Sequence, residues 1–254
     1  MTGRVLLTLA MLALAAPANS QNLAGHQADC RAAAQQIDRD FPLPRVTRAL
    51  DAKRLDILVV GAGSSLLPGP SGPKNAYPAR LQIALAEKLA GVAVKVTTDV
   101  KPRRTAAEMV KTMAPALAAA KPTLMVWQTG TVDAMQSVDT DQFRAALENG
   151  INTAHAAGAD VVLINAQYSP RTESMIALGT YAENMRWVAL QQEVPLFDRF
   201  SIMKVWADLG TFDLYSATKK LDTAERVHDC IGRLLADFVI EAAKPEEPHG
   251  ETGR

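Results

Sequence analysis

Neither sign of charge is in excess: 27 lysines and arginines balance 27 aspartates and glutamates over 254 residues, with no basic stripe along any segment. Nucleic acid and anionic membranes are therefore not expected as main partners. Beyond the first residues no segment offers the ~18–20 consecutive apolar residues of a membrane-spanning helix, so no stable membrane insertion is expected. No spacing of His, Cys, Asp and Glu resembles a metal site, no Gly-Lys-Ser/Thr phosphate loop occurs, and Gly61-x-Gly63 lacks the third glycine of a dinucleotide fingerprint. No cofactor is expected. Histidine, the commonest side-chain base, is limited to His26, His155, His228 and His249, and cysteine to Cys30 and Cys230. No internal repeat is present.

What is present begins with Arg4, an apolar run over residues 5–16 and the small-residue site Ala18-Asn19-Ser20. This is the pattern of a secretory signal peptide cleaved after Ser20. The expected product is a periplasmic or secreted monomer with one domain over residues 21–243 and a polar, disordered tail over 244–254. An oxidising compartment favours a disulfide between Cys30 and Cys230 over two free thiols.

The hydrophobic content of 48% is enough to fill one core. After a helix around Cys30 and a proline-bearing linker, Phe41-Pro42-Leu43-Pro44, short apolar runs alternate with longer amphipathic ones. The short runs, at residues 55–60, 92–96, 124–127, 161–164 and 194–197, are rich in Val, Ile and Leu, as buried parallel strands are. The amphipathic stretches at 77–89, 105–119, 141–157, 180–191 and 222–243 read as helices, with Gly91 and Gly158 at two of their ends. The alternation predicts an α/β fold, a five-stranded parallel sheet between two helical layers in a flavodoxin-like arrangement. Ligands bind such sheets at the carboxyl ends of the strands, which directs attention to residues 63–65, 97–104, 128–133 and 165–168. Trp127, Met125 and Trp187 are expected in the core, and Trp206 either there or on the surface.

Val59-Val60-Gly61-Ala62-Gly63-Ser64-Ser65 resembles the first sequence block of the SGNH/GDSL hydrolases, in which a strand ends in a Gly-Asp-Ser or Gly-Ser-Ser turn. Further similarity follows in order: Tyr77-Pro78-Ala79-Arg80-Leu81, Trp127-Gln128-Thr129-Gly130-Thr131-Val132-Asp133, residues 159–170, and the surroundings of Cys230. The resemblance implies Ser65 as the nucleophile, and Gly130 and Asp133 as the first and last residues of the Gly-x-Asn-Asp block that helps to hold the oxyanion.

The rest of the family pattern is damaged. Val132 stands where the oxyanion asparagine belongs, and losing one such donor typically costs ~10²- to 10³-fold in rate. The block-two glycine falls within Val100-Lys101-Pro102-Arg103-Arg104, where Pro102 has no amide hydrogen. Counting back from Cys230, Asp222 and Lys219 occupy the histidine and aspartate positions of the late Asp-x-x-His. In a second register Asp213-Leu214-Tyr215-Ser216 is the remnant. Neither supplies an imidazole. His228 lies six residues beyond Asp222, roughly 9 Å along a helix and on another face.

A serine hydroxyl without a base is a poor nucleophile. The expectation is an exported SGNH-like protein, weak or inactive as an esterase, that binds an acylated or acidic glycan or another small molecule. The alternative is an active esterase or carbohydrate O-deacetylase using Ser65. The cluster Lys101, Arg103 and Arg104 reads either as a solvated turn or as an anion clamp beside the old active site.

Overall fold

The computed structural model describes Cys30, residues 41–215 and residues 221–244. The expected signal peptide, the tail from residue 245, and Ser216 and Lys219 lie outside the described residues, as does the expected helix around Cys30 apart from that residue.

Five strands, β1 (Arg54–Gly61), β2 (Ala93–Val100), β3 (Leu124–Gln128), β4 (Asp160–Ile164) and β5 (Leu196–Phe197), form one parallel sheet in the order β2-β1-β3-β4-β5. β3 and β4 are buried along their whole length, which is why their sequences are continuous apolar runs rather than alternating ones. β2 lies at the edge and has no fully buried residue. Thr97 and Thr98 interrupt its apolar run, so the strand extends to Val100, beyond the segment that hydrophobicity marks.

Helices α1 (Pro44–Asp51), α2 (Gly72–Asn75), α3 (Tyr77–Lys88), α4 (Ala106–Ala120), α5 (Thr131–Met135), α6 (Thr140–Ala156), α7 (Pro170–Glu173), α8 (Leu178–Gln191), α9 (Arg199–Asp208) and α10 (Leu221–Ala242) flank it. α3 packs against α10, while α4, α6 and α8 pack in sequence against one another. Among the described residues no helix is long and apolar enough to cross a membrane.

Three local features explain how the layers lock. The proline-bearing stretch is not a linker throughout: Pro44 opens α1, where a missing amide hydrogen costs nothing. The other free amides of that turn, at Arg45 and Val46, donate to the buried Asp160 at the start of β4, at 2.7 and 3.0 Å. Gly150 of α6 lies over the Trp127 ring, where an added Cβ would come within 2.3 Å of the indole. A disulfide joins Cys30 to Cys230 in α10, with Cα atoms 5.3 Å apart. Trp127, Met125 and Trp206 are fully buried, but Trp187 is half exposed, with Arg144 over its ring.

Candidate functional site

The chain leaves β1 toward β2 and leaves β3 toward β4, in opposite directions across the sheet. A crevice opens at the carboxyl ends of β1 and β3, as such a switch point demands. It is a cleft of about 570 Å³ whose wall includes Gly63, Ser64, Leu66, Val132, Met135 and His228.

After β1 the chain turns through a short 3-10 helix, Gly63–Ser65, which sends adjacent serines in different directions. Ser65 is completely buried, with its hydroxyl 2.9 Å from Gln128 Oε1 and 3.0 Å from Tyr77 Oη. A carboxamide oxygen only accepts, so Ser65 donates to Gln128 and receives the hydrogen of Tyr77. Gly61 leaves room for this: a Cβ there would meet Ser65 Oγ at 2.4 Å. The hydroxyl expected to attack an ester is thus turned away from the cleft and held in the core. Ser64 faces the cleft instead and donates to the same Gln128 Oε1 at 2.7 Å. Burial pushes the Tyr77 phenol up to about 12, so it stays protonated and is no base.

Gly130 and Asp133 hold the turn after β3. Gly130 has a left-handed φ of 95°, and its amide donates to Asp133 Oδ2 at 3.2 Å. Asp133 also accepts from Thr129 Oγ1 at 3.2 Å and from the Ala106 amide at 2.9 Å, and burial raises its pKa against these bonds. The Gly130 amide is therefore engaged within the protein. Beside it, Val132 presents an apolar side chain to the cleft.

The three cations after β2 do not converge. Arg104 is buried and braces the sheet, with Nη1 2.9 Å from Asp99 Oδ2 and Nη2 3.2 Å from the Gly61 carbonyl. Lys101 Nζ lies 3.6 Å from Asp99 Oδ1. Arg103, with a φ of 63°, is the member of this cluster that reaches the cleft wall. Lys101 and Arg104 share the single negative charge of Asp99, so the triplet keeps a net positive charge, and Arg103 is its member at the cleft. Asp222 is exposed and receives the Thr223 amide at 2.9 Å, at the start of α10.

Two residues without a motif complete the site. His228 does reach the cleft wall, because the first turns of α10 run past it. Its Nδ1 accepts the Tyr77 amide at 3.0 Å, which places the ring hydrogen on Nε2. Burial and then the charge of Arg199 lower its pKa to about 3, so the imidazole is neutral and donates at Nε2. A triad histidine needs the reverse arrangement, with a lone pair at the nitrogen facing the serine.

Arg199, the first residue of α9, is wholly buried. It donates to the Ser64 carbonyl at 2.9 Å and to Gln167 Oε1 at 3.1 Å, and its guanidinium lies 5.7 Å from the Tyr77 ring centroid. Its Nε has no partner, and burial lowers its pKa to about 10. The signal that could have found it is its place, two residues past the last strand, in a loop that apolar periodicity does not single out.

Solved structures of hydrolases share this architecture. The chain is similar to TesA (24% identity over 74% of this chain and 98% of that one, TM-score 0.54). It is also similar to a catalytic mutant of Axe2, an acetylxylan esterase from Geobacillus stearothermophilus (14% identity, 73% and 94% coverage, TM-score 0.58). A two-domain esterase active on acetylated mannans aligns at 13% identity and a TM-score of 0.66, over 84% of this chain and 57% of its own. No curated protein matches the sequence. The Non-GDSL lipase-like family matches residues 29–245, through the strands, the crevice and the disulfide-bearing helix alike, and the chain belongs to that family.

Proposed function

We propose that this protein is an exported, catalytically degenerate member of its family that binds an acylated or acidic ligand, of the glycan class or smaller, in the strand-end cleft without hydrolysing it. The observation that carries this reading is the state of the hydroxyls. Ser65 is buried and hydrogen-bonded on both sides, and Ser64, the serine that faces the cleft, contacts only a carboxamide oxygen. Such an oxygen is too weak a base to take a hydroxyl proton, and the Nδ1 lone pair of His228 is already taken by the Tyr77 amide. With Gly130 engaged by Asp133 and Val132 lacking a donor, the oxyanion side is depleted as well.

Ligand class is supported by the kinship of fold with an acetylxylan esterase and with an esterase active on acetylated mannans. Export is supported by the disulfide, which persists in oxidising compartments.

A fluorophosphonate probe tests the proposal, since it reports an activated serine. The wild-type protein is expected to label at the background level of a Ser64→Ala, Ser65→Ala double variant. Rapid stoichiometric labelling that vanishes in either single variant would overturn the reading and identify the nucleophile.

A further inference from the structure

Arg199 carries a full charge into the core with no acid beside it among the described residues. A guanidinium has five N–H donors, and here two atoms of it reach neutral acceptors while Nε reaches none. A buried charge left uncompensated is expensive, and proteins keep one where something else supplies the counter-charge.

A second cavity, of about 300 Å³, lies against this side chain, and its wall also includes Arg171, Thr172, Asp213 and Tyr215. Gln167, Ala224 and His228 line both this cavity and the larger cleft, so the two meet around these residues. The larger cleft differs in character. Leu66, Leu67, Val132 and Met135 make its wall apolar, and Met135 is 64% exposed. An apolar groove therefore leads to a buried cation and to the Nε2–H of a neutral imidazole.

We infer that the joined cavities hold one amphiphilic carboxylate, with its hydrocarbon arm against Leu66, Val132 and Met135 and its anionic head turned toward Arg199 and His228. A single negative charge matches the site, because Arg199 is the one buried cation among the described residues of the junction. Arg171, exposed at the rim of the smaller cavity, favours anions over cations at the entrance. The inference rests on the binding role proposed above for the cleft and gives that role a ligand chemistry.

Calorimetric titration of the full mature protein at pH 8 with decanoate, decanol and acetate, each below its aggregation limit, tests it. Decanoate is expected to bind at least tenfold more tightly than decanol, and acetate not measurably. Arg199→Met should erase the preference for decanoate over decanol. Met135→Glu, at an exposed position, should weaken decanoate binding at least tenfold with an unchanged melting temperature, and it serves as the control if Arg199→Met fails to fold. Equal binding of decanol and decanoate, tight binding of acetate, no binding of decanoate, or survival of the preference in folded Arg199→Met would overturn the inference. Serine labelling is independent of these readings. Labelling with selective decanoate binding would refute only the loss of hydrolysis, and absent labelling without decanoate binding would refute only the ligand chemistry.

Discussion

At the start of β4 the buried carboxylate of Asp160 collects two amides of α1 and, at 3.1 Å, the guanidinium of Arg45. At the opposite end of the sheet Arg199 is buried just as deeply, yet it has two neutral acceptors, one idle nitrogen and no carboxylate. At the amino end of the sheet the buried carboxylate of Asp160 and the guanidinium of Arg45 answer each other. The carboxyl end is open: it holds an unanswered cation, an imidazole whose charging is suppressed, and a cleft. A fold that needed only stability would close both ends, since unanswered buried charge is the costlier arrangement. With the binding role proposed above, the difference gives stability to one end and recognition to the other.

The largest expected effect comes from acid. The folded pKa of His228, about 3, lies below its unfolded value near 6.5. Its contribution is therefore intact above pH 6.5 and is lost as pH falls toward 3, where it amounts to ~4 kcal/mol. Denaturant titrations at pH 7 and pH 3 should show this difference between wild type and His228→Asn, whose side-chain oxygen can still accept the Tyr77 amide. Equal pH dependence of the two proteins would mean that the carboxyl end is as closed as the other.

Next in size, Asp160→Ala should cost about 3 kcal/mol, because it strands two amides and a guanidinium. Arg199→Met should cost less, about 1–2 kcal/mol, because it strands two neutral acceptors but also removes a buried charge that no acid compensates. Equal losses in urea unfolding would break the comparison between the two ends.

The smallest effects sharpen it within the carboxyl end. Ser65→Ala leaves the buried Tyr77 hydroxyl without its acceptor and should cost about 1–2 kcal/mol. Ser64→Ala, at the cleft surface, should cost roughly 0.5 kcal/mol or less. A reversed order would show that Ser65, and not Ser64, is the exposed hydroxyl.

Much of the architecture was legible in the sequence, because buried parallel strands are continuous apolar runs and the helices between them carry a 3.6-residue period. Five helices were not: α2, α5 and α7, each of four or five residues, and the longer α1 and α9. Pro42 and Pro44 mask α1, whose first turn is capped by Asp160, over a hundred residues away in sequence. α9 mixes Arg199 and Asp208 with Phe200 and Trp206, and its apolar face is weakly marked. Trp187 was misplaced because its ring is covered by a neighbouring arginine rather than by the core.

The site was legible as a location and not as an arrangement. The motif points to Ser65, and only the turn reveals that its hydroxyl enters the core while that of Ser64 faces the cleft. His228 was set aside by counting along its helix from Asp222, a measure that ignores where the helix axis passes relative to the cleft. Nothing in the triplet Lys101, Arg103 and Arg104 announces that Asp99 answers two of its members.

The disulfide has a mechanical consequence. It ties Cys30 to Cys230 across 200 residues, and the loop so closed contains the whole sheet. Tension applied between the two ends of the polypeptide passes through the covalent bridge and not through the strands, so the domain bears load without unravelling. In an optical trap the oxidised protein should yield only the short stretches outside the bridge, whereas the reduced protein should release roughly 700 Å more of contour at about 3.5 Å per residue.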